Sequence, residues 1–172
     1  MVNNSRIHFV MTGGTIDSFY DSTKDTVVPN KKSSVPDYIN GLKLYDNFQF
    51  TQVCMKDSRS ITNADRAKIR STIEKSPCKL TIITHGTYTM TDTAKILKTK
   101  LKNKDKTIIL TGSMIPLIGF SPSDAPFNLG YSIAKIKDLS PGIYVCMNGK
   151  IFTPEEVVKY LSEGRFRSIF EK

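Results

Sequence analysis

Short apolar runs recur along this chain, and segments of helical periodicity separate them. Each run ends abruptly at glycine or polar residues, which is typical of strands buried in a parallel sheet. The predicted strands span residues 7–11, 48–55, 80–83, 106–111 and 142–147. The predicted helices span residues 37–44, 62–76, 91–97, 124–137 and 153–161. Because strands alternate with crossovers too long for hairpins, we predict an α/β fold with a doubly wound, mainly parallel sheet and helices on both faces.

The connecting segments carry signals of their own. Residues 21–29 are polar and turn-rich, which predicts a hairpin or flap over the loop that follows the first strand. Asn148-Gly149 predicts a second hairpin, and the capping box Thr153-Pro-Glu-Glu156 predicts the start of the last helix. We expect one domain over residues 1–172, with a flexible tail over residues 164–172.

Composition and charge narrow the possible partners. The 172 residues are 24% charged and 39% hydrophobic, and the net charge is +9. The lysines are scattered and lack the interleaved aromatic residues of an RNA-binding sheet, so we expect a solvated surface and no nucleic-acid partner. No apolar run approaches the ~20 residues of a membrane helix, and the first residues lack the apolar core of a signal peptide. We therefore expect no membrane partner and a cytoplasmic location.

The cysteines and histidines argue against a metal site. Cys54, Cys78 and Cys146 are odd in number and too widely spaced for a metal knuckle. Cys54 and Cys146 lie in apolar runs, which suits free thiols in a reducing compartment. Neither of the two histidines has a ligand partner three or four residues away, so we expect no metal and no cofactor.

Hydroxyl side chains cluster in the loops that follow the predicted strands. The carboxyl ends of strands in an open α/β sheet form its ligand site, so these hydroxyls should converge. They are Thr12, Thr15, Ser58, Thr84, Thr87, Thr89, Thr111 and Ser113. Glycines at 13, 14, 86 and 112 let the same loops approach a ligand closely. A threonine could act there as a nucleophile if a base and an oxyanion site activate it.

Three motifs in these loops resemble the bacterial-type L-asparaginase family. They are Thr12-Gly-Gly-Thr15, Thr84-His-Gly-Thr87-Tyr-Thr89-Met90, and Lys106 before Thr-Gly-Ser-Met with Ser-Asp-Ala-Pro-Phe-Asn-Leu129. The motifs follow the family's order, and three long matches together are specific where one alone would be weak. The chain stops where the family's usual second domain begins, so we expect the short, single-domain form.

The resemblance implies hydrolysis of L-asparagine to aspartate and ammonia. By that resemblance, Thr15 attacks the side-chain amide and leaves a β-aspartyl enzyme that water hydrolyses. Thr87 and Lys106 match the family's second threonine and its lysine. Lys106 would lower the proton affinity of a neighbouring hydroxyl or accept its proton. Tyr20 is the candidate for the flap tyrosine that assists Thr15.

The resemblance also implies a substrate-binding set. Ser58 matches a serine that holds the substrate carboxylate, and Gly14 and Gly86 belong to the two glycine loops. Tyr88, however, occupies the position of a family aspartate that grips the substrate ammonium and belongs to the lysine–threonine relay. The family's second domain also supplies an acidic residue to the neighbouring subunit's site, and this chain has none to supply. The nearest substitute anchor is Asp57, and Asp17 and Asp92 come behind it.

Structural roles compete with some of these assignments. His85 is better interpreted as fixing its loop by hydrogen bonding than as a catalytic group. Asp124 is better interpreted as a helix cap than as a base. Tyr88 is either a packing residue or a phenol that closes the pocket.

Two other functions remain open beside asparagine hydrolysis. One is an amidase for glutamine or for a larger amide. The other is a non-catalytic small-metabolite-binding protein derived from an asparaginase, although retention of Thr15, Thr87 and Lys106 argues against such decay. We also expect a homodimer or higher homo-oligomer, because the loop 115–120 is apolar and such a patch usually marks an interface.

Overall fold

The structure of the chain is a computed structural model that describes residues 6–171. Residues 1–5, on which the expectation of no signal peptide rests, and residue 172 lie outside this part. The strands are β1 (Ile7–Gly13), β2 (Ser18–Asp21), β3 (Thr26–Pro29), β4 (Phe48–Lys56), β5 (Leu80–Thr84), β6 (Thr107–Thr111), β7 (Gly142–Met147), β8 (Lys150–Phe152), β9 (Val157–Tyr160) and β10 (Arg165–Ser168). The helices are α1 (Val35–Gly41), α2 (Asn63–Lys75), α3 (Met90–Lys100) and α4 (Ala125–Lys135). Within residues 6–171, none of these helices is long and apolar enough to cross a membrane.

The main sheet has six strands in the order β4-β1-β5-β6-β7-β8. All neighbouring pairs from β4 to β7 are parallel. Only β8 runs antiparallel, because Asn148 and Gly149 turn the chain back with φ angles of 55° and 74°. This sheet confirms the predicted α/β class, its single domain and the second hairpin.

Alternation along the strands divides the core between the two faces of the sheet. Val10 and Ile83 are buried on one face together with residues of α2 and α3. Phe9 and Ile82 are buried on the other face together with residues of α1 and α4. Helices therefore cover both faces, as the sequence predicts.

The carboxyl ends of the central strands lie side by side. Met11 of β1 pairs with Thr84 of β5, and Thr84 pairs with Thr111 of β6. The loops that leave these strands therefore begin at one edge of the sheet, where α/β proteins bind ligands. The predicted flap is present as the antiparallel β2–β3 hairpin, which follows directly from the loop after β1.

The prediction of a last helix over residues 153–161 is wrong. The capping contacts form, since Thr153 N donates to Glu156 Oε1 at 2.7 Å, but a helix does not follow. The chain enters β9 instead, because the β-branched Val157 packs into the core on the α2–α3 face. β9 pairs antiparallel with β10, so residues 165–168 of the expected flexible tail form a strand.

Candidate active site

Three loops meet at the carboxyl edge of the sheet, and glycines allow their close contact. Gly14 has a φ of 84°, and a Cβ there would lie 2.4 Å from the Gly86 Cα. A Cβ on Gly86 would in turn lie 2.7 Å from the Ser58 Cβ. Neither glycine can be replaced without displacing a neighbouring loop. The contact brings the next residues of the two glycine loops, Thr15 and Thr87, to the same place.

A cavity of about 280 Å³ opens above these contacts. Most of the site residues predicted from the sequence line it: Gly14, Thr15, Asp57, Ser58, Gly86, Thr87 and Tyr88. The other lining residues are Ser18, Val27, Pro29, Arg59 and Met114. The cavity therefore lies between the two glycine loops, the end of β4 and the β2–β3 hairpin.

Thr15 is half-buried in the short 3-10 turn that follows Gly14. The turn is fixed by Ser18, whose Oγ donates to the Gly14 carbonyl at 2.8 Å. Within residues 6–171, the Thr15 hydroxyl has no hydrogen-bond partner and lines the cavity. A hydroxyl that is free, positioned and accessible is suited to nucleophilic attack once a base removes its proton.

Thr87 is paired with a lysine that the sequence analysis missed. Lys159 Nζ donates to Thr87 Oγ1 at 2.7 Å, from a position 72 residues further along the chain. Burial, with a smaller contribution from the nearby charge of Arg59, lowers the pKa of Lys159 below its ordinary value. The lowered pKa makes the neutral amine easier to reach than in an ordinary lysine, so a deprotonated Lys159 can accept a proton through Thr87.

Lys106, the lysine predicted for this role, lies elsewhere, and its assignment to the site is corrected. It immediately precedes β6 and therefore lies at the amino edge of the sheet. Its Nζ donates to the carbonyl oxygens of Ser76 at 2.8 Å and Cys78 at 2.6 Å. At ~3.3 Å per residue, the length of β6 separates Lys106 from the site by more than ~15 Å. Lys106 ties the end of α2 to the sheet.

Tyr20, the candidate flap tyrosine, also does not reach the cavity. It lies on β2 opposite Val27 of β3. Its side chain is 51% exposed, and its hydroxyl donates to the Asp25 carboxylate near the tip of the hairpin. The hairpin presents Val27 and Pro29 to the cavity instead.

Asp57 lines the cavity, but its carboxylate is already bound. It accepts hydrogen bonds from the backbone N of Arg59 at 2.8 Å and from the Arg59 guanidinium at 2.6 and 3.0 Å. These bonds lower the pKa of Asp57, with burial acting in the opposite direction. The other two candidate anchors do not line the cavity: Asp17 is buried against Ser33 and Ser34, and Asp92 is exposed on α3.

Tyr88 lies against two basic side chains of the site. The Arg59 guanidinium carbon is 4.9 Å from the centre of the Tyr88 ring, and Lys159 Nζ is 4.2 Å from it. These are cation–π distances. The ring is therefore part of the cavity wall and not a core packing residue, since 56% of the side chain is exposed.

His85 fixes its loop, as the sequence interpretation holds. Its Nδ1 lies 2.8 Å from the Gly86 carbonyl and its Nε2 3.0 Å from Thr93 Oγ1. A carbonyl only accepts, so the proton is on Nδ1 and Thr93 donates to Nε2. Complete burial lowers the pKa of His85 to about 4, which keeps the ring neutral near pH 7.

Asp124 likewise has a structural role, although not as a helix cap. Its carboxylate accepts from the backbone N of Met114 at 2.9 Å and of Ile115 at 3.0 Å. It thus holds the loop after β6, which contributes Met114 to the cavity wall.

Comparisons with known proteins agree with this architecture. A family model described as "Asparaginase, N-terminal" matches residues 6–169. The glutaminase-asparaginase of Acinetobacter glutaminasificans is 32% identical over 171 residues, which cover 90% of this chain and 50% of that protein. L-asparaginase 2 of Escherichia coli (strain K12) is 32% identical over 165 residues, which cover 89% of this chain and 46% of that protein.

A solved structure extends the likeness to the fold. The crystal structure of a probable cytoplasmic L-asparaginase from Campylobacter jejuni superposes with a TM-score of 0.81 at 30% identity. The superposition covers 95% of this chain and 53% of that one. The chain therefore spans about half the length of these relatives.

Proposed function

The chain belongs to the asparaginase family, and from that premise we propose that it hydrolyses L-asparagine to aspartate and ammonia. The proposed nucleophile is the Thr15 hydroxyl. One observation carries the proposal: the hydrogen bond from Lys159 to Thr87 lies in the same cavity as the free Thr15 hydroxyl. A nucleophile and a proton-accepting pair are what threonine-dependent amide hydrolysis requires.

The proposed reaction has two steps. In the first, Thr15 Oγ1 loses its proton and bonds to the side-chain amide carbon; the carbon–nitrogen bond then breaks, and ammonia leaves with an added proton. The product is a β-aspartyl ester on Thr15. In the second, water attacks the same carbon, the ester bond breaks, and Thr15 regains a proton as aspartate leaves.

Thr87 and Lys159 are proposed to move these protons. A neutral Lys159 can take the proton of the Thr87 hydroxyl, and Thr87 can then accept one from Thr15 or from the attacking water. Ser58 is proposed to bind the substrate carboxylate, because it lies against Gly86 and lines the cavity. In this scheme, Lys159 has the role that the sequence resemblance gave to Lys106.

Two rival functions are less well supported. Glutamine hydrolysis has one observation in its favour, because two relatives are named glutaminase-asparaginase. A purely metabolite-binding protein has less, because binding needs neither a free hydroxyl nor a lysine paired with a second hydroxyl. We propose poor glutamine turnover and a Michaelis constant for asparagine in the millimolar range, because Tyr88 provides no carboxylate for the substrate ammonium.

The proposed setting is a homo-oligomer in the cytoplasm. Three free cysteines suit a reducing compartment, and one structural relative is described as a probable cytoplasmic enzyme. Ile115 and Ile118 are exposed in the loop after β6, beside Met114 of the cavity wall. Sedimentation at micromolar concentration tests this proposal, and a monomer would contradict it.

Replacement of Thr15 tests the proposed function. Thr15→Ala should lower the rate of ammonia release from asparagine by at least ~100-fold, because the nucleophile is removed. The melting temperature should stay nearly unchanged, because the hydroxyl makes no hydrogen bond with residues 6–171. Thr15→Ser, the matched control, keeps the hydroxyl and should keep measurable turnover. Wild-type activity in Thr15→Ala would reassign the nucleophile to Thr87.

A further inference from the structure

The charges around the Tyr88 ring do not balance. Two cations lie against this ring, Arg59 and Lys159. Among the described residues that line the cavity, the only carboxylate is that of Asp57, and it is bound to Arg59 with Nη2 and Oδ2 2.6 Å apart. Asp57 and Arg59 therefore neutralise each other, and the charge of a protonated Lys159 has no counterion there.

The contacts of Lys159 agree with this charge balance. It forms no ion pair with any carboxylate of residues 6–171, and its hydrogen bond is to the uncharged Thr87 hydroxyl. The nearby charge of Arg59 is a second cause of its lowered pKa, after burial. The part of the cavity around Tyr88 thus has a positive potential, which attracts anionic groups and repels ammonium groups.

The Tyr88 ring does not reverse this preference. An aromatic face can attract an ammonium group, but Arg59 and Lys159 already occupy the surroundings of this ring at 4.9 and 4.2 Å. A third cation beside this ring would find no unpaired carboxylate among the described lining residues and would lie close to two like charges. A substrate without an ammonium group beside Tyr88 avoids this repulsion.

Resting on the proposed function, we propose that the preferred substrates are ω-amides of carboxylic acids that carry no positive charge on the α-carbon. This class contains succinamate, which is asparagine without its amino group, and asparagine acylated on its α-nitrogen. The amide that reacts at Thr15 and the carboxylate that Ser58 is proposed to bind are the same as in asparagine. Only the charged group on the α-carbon differs, which the family resemblance places beside Tyr88.

Competing substrates test this inference. The kcat/KM for ammonia release should be about tenfold or more higher for succinamate than for asparagine, because one unfavourable charge contact is removed. Nα-acetylasparagine should also exceed asparagine. A higher kcat/KM for asparagine than for both would overturn the inference and leave the proposed amide hydrolysis intact.

Variants of Tyr88 test whether this residue causes the preference for substrates without an ammonium group. Tyr88→Asp supplies a carboxylate beside Lys159 and should shift the preference toward asparagine by about tenfold or more. Tyr88→Phe, the matched control, keeps the ring and the local charge and should keep the preference for succinamate. An unchanged ratio in Tyr88→Asp would overturn the inference. Because 56% of the Tyr88 side chain is exposed, both variants should fold.

A binding measurement separates this inference from catalysis. In calorimetry on the Thr15→Ala protein, succinate should bind about tenfold or more tightly than aspartate, because the two differ only in the ammonium group. Equal affinities, or tighter binding of aspartate, would overturn the inference. If succinate binds more tightly but the wild-type protein hydrolyses no amide, the proposed function fails while the charge preference stands.

Discussion

Two lysines with lowered pKa lie at opposite edges of the sheet, and their contacts differ. Lys106, 4% exposed at the amino edge, donates to the carbonyl oxygens of Ser76 and Cys78. Lys159, half-buried at the carboxyl edge, donates to the hydroxyl of Thr87. Burial is the main cause of the lowered pKa of both lysines. Burial and pKa therefore do not separate a structural lysine from a candidate catalytic one.

The group that each lysine contacts does separate them. A backbone carbonyl has no proton to give up, so the Lys106 contacts can only hold the chain together. The Thr87 hydroxyl has a proton, and it lies in a cavity beside a second, free hydroxyl on Thr15. A lowered lysine pKa has a chemical use only where the neutral amine meets a group that can lose a proton.

Replacing the two lysines in turn gives the largest expected effect. Lys159→Met should lower kcat for asparagine by at least ~100-fold, because it removes the proposed proton acceptor while nearly preserving volume. Lys106→Met, the matched control at the other edge, should keep kcat close to that of the wild type. It should instead lose ~1–3 kcal/mol of unfolding free energy, because it deprives two buried carbonyls of their donor.

Steady-state kinetics and urea unfolding measure both variants. The comparison would be contradicted if Lys106→Met abolished ammonia release without lowering the free energy of unfolding, since the amino edge would then contribute to catalysis. It also breaks if Lys159→Met retains full kcat, which would leave the Thr87 hydroxyl without a functional partner.

Burial of a histidine at the carboxyl edge predicts that stability depends on pH. The pKa of His85, beside Gly86 at the carboxyl edge, is lowered from 6.5 to about 4 by complete burial. Between these values the unfolded state binds more protons, so stability is fully present above about pH 6.5 and decreases as the pH falls toward 4. The expected loss is about 3 kcal/mol, since one pKa unit corresponds to ~1.4 kcal/mol.

Urea unfolding at about pH 7 and about pH 4.5 should detect this loss. Histidine NMR assigns it, because the chain has two histidines and hence two sets of ring signals. The pKa of His8 is also lowered, by burial and then by the charge of Lys106, so Lys106→Met should raise it and leave that of His85 unchanged. A His85 ring that titrates at its ordinary pKa would mean that water reaches the glycine loops.

The fold and the loops of the site were predictable because their signals are local. Apolar runs that end at glycine identify β1 and β5 and place Thr15 and Thr87 after them. The rule that ligands bind at the carboxyl ends of strands then brings the two hydroxyls together. The same rule speaks against Lys106, because a residue at the start of β6 belongs to the opposite edge of the sheet.

Lys159 was missed because a short-range signal conflicted with the tertiary structure. Thr153 and Glu156 do form the contacts of a capping box, which is typical of a helix start. The two β-branched residues that follow, Val157 and Val158, favour a strand and were the available counter-signal. The packing of Val157 in the core decides between these outcomes, and such a long-range contact is not visible in the sequence.

The smallest expected effect concerns Arg59, the charged neighbour that adds to the lowering of the Lys159 pKa. If neutral Lys159 accepts the proton, kcat/KM should rise with pH up to the lowered pKa of this lysine and then level off. Arg59→Gln removes the second cause of that lowering and frees the Asp57 carboxylate, and both changes favour protonated Lys159. The rising limb of the pH profile should therefore move to higher pH, while stability changes little because the Arg59–Asp57 pair is largely exposed.

The double variant Arg59→Gln/Asp57→Asn removes both charges and should move the limb less than Arg59→Gln alone. A profile that neither variant displaces would show that the rise does not report on Lys159.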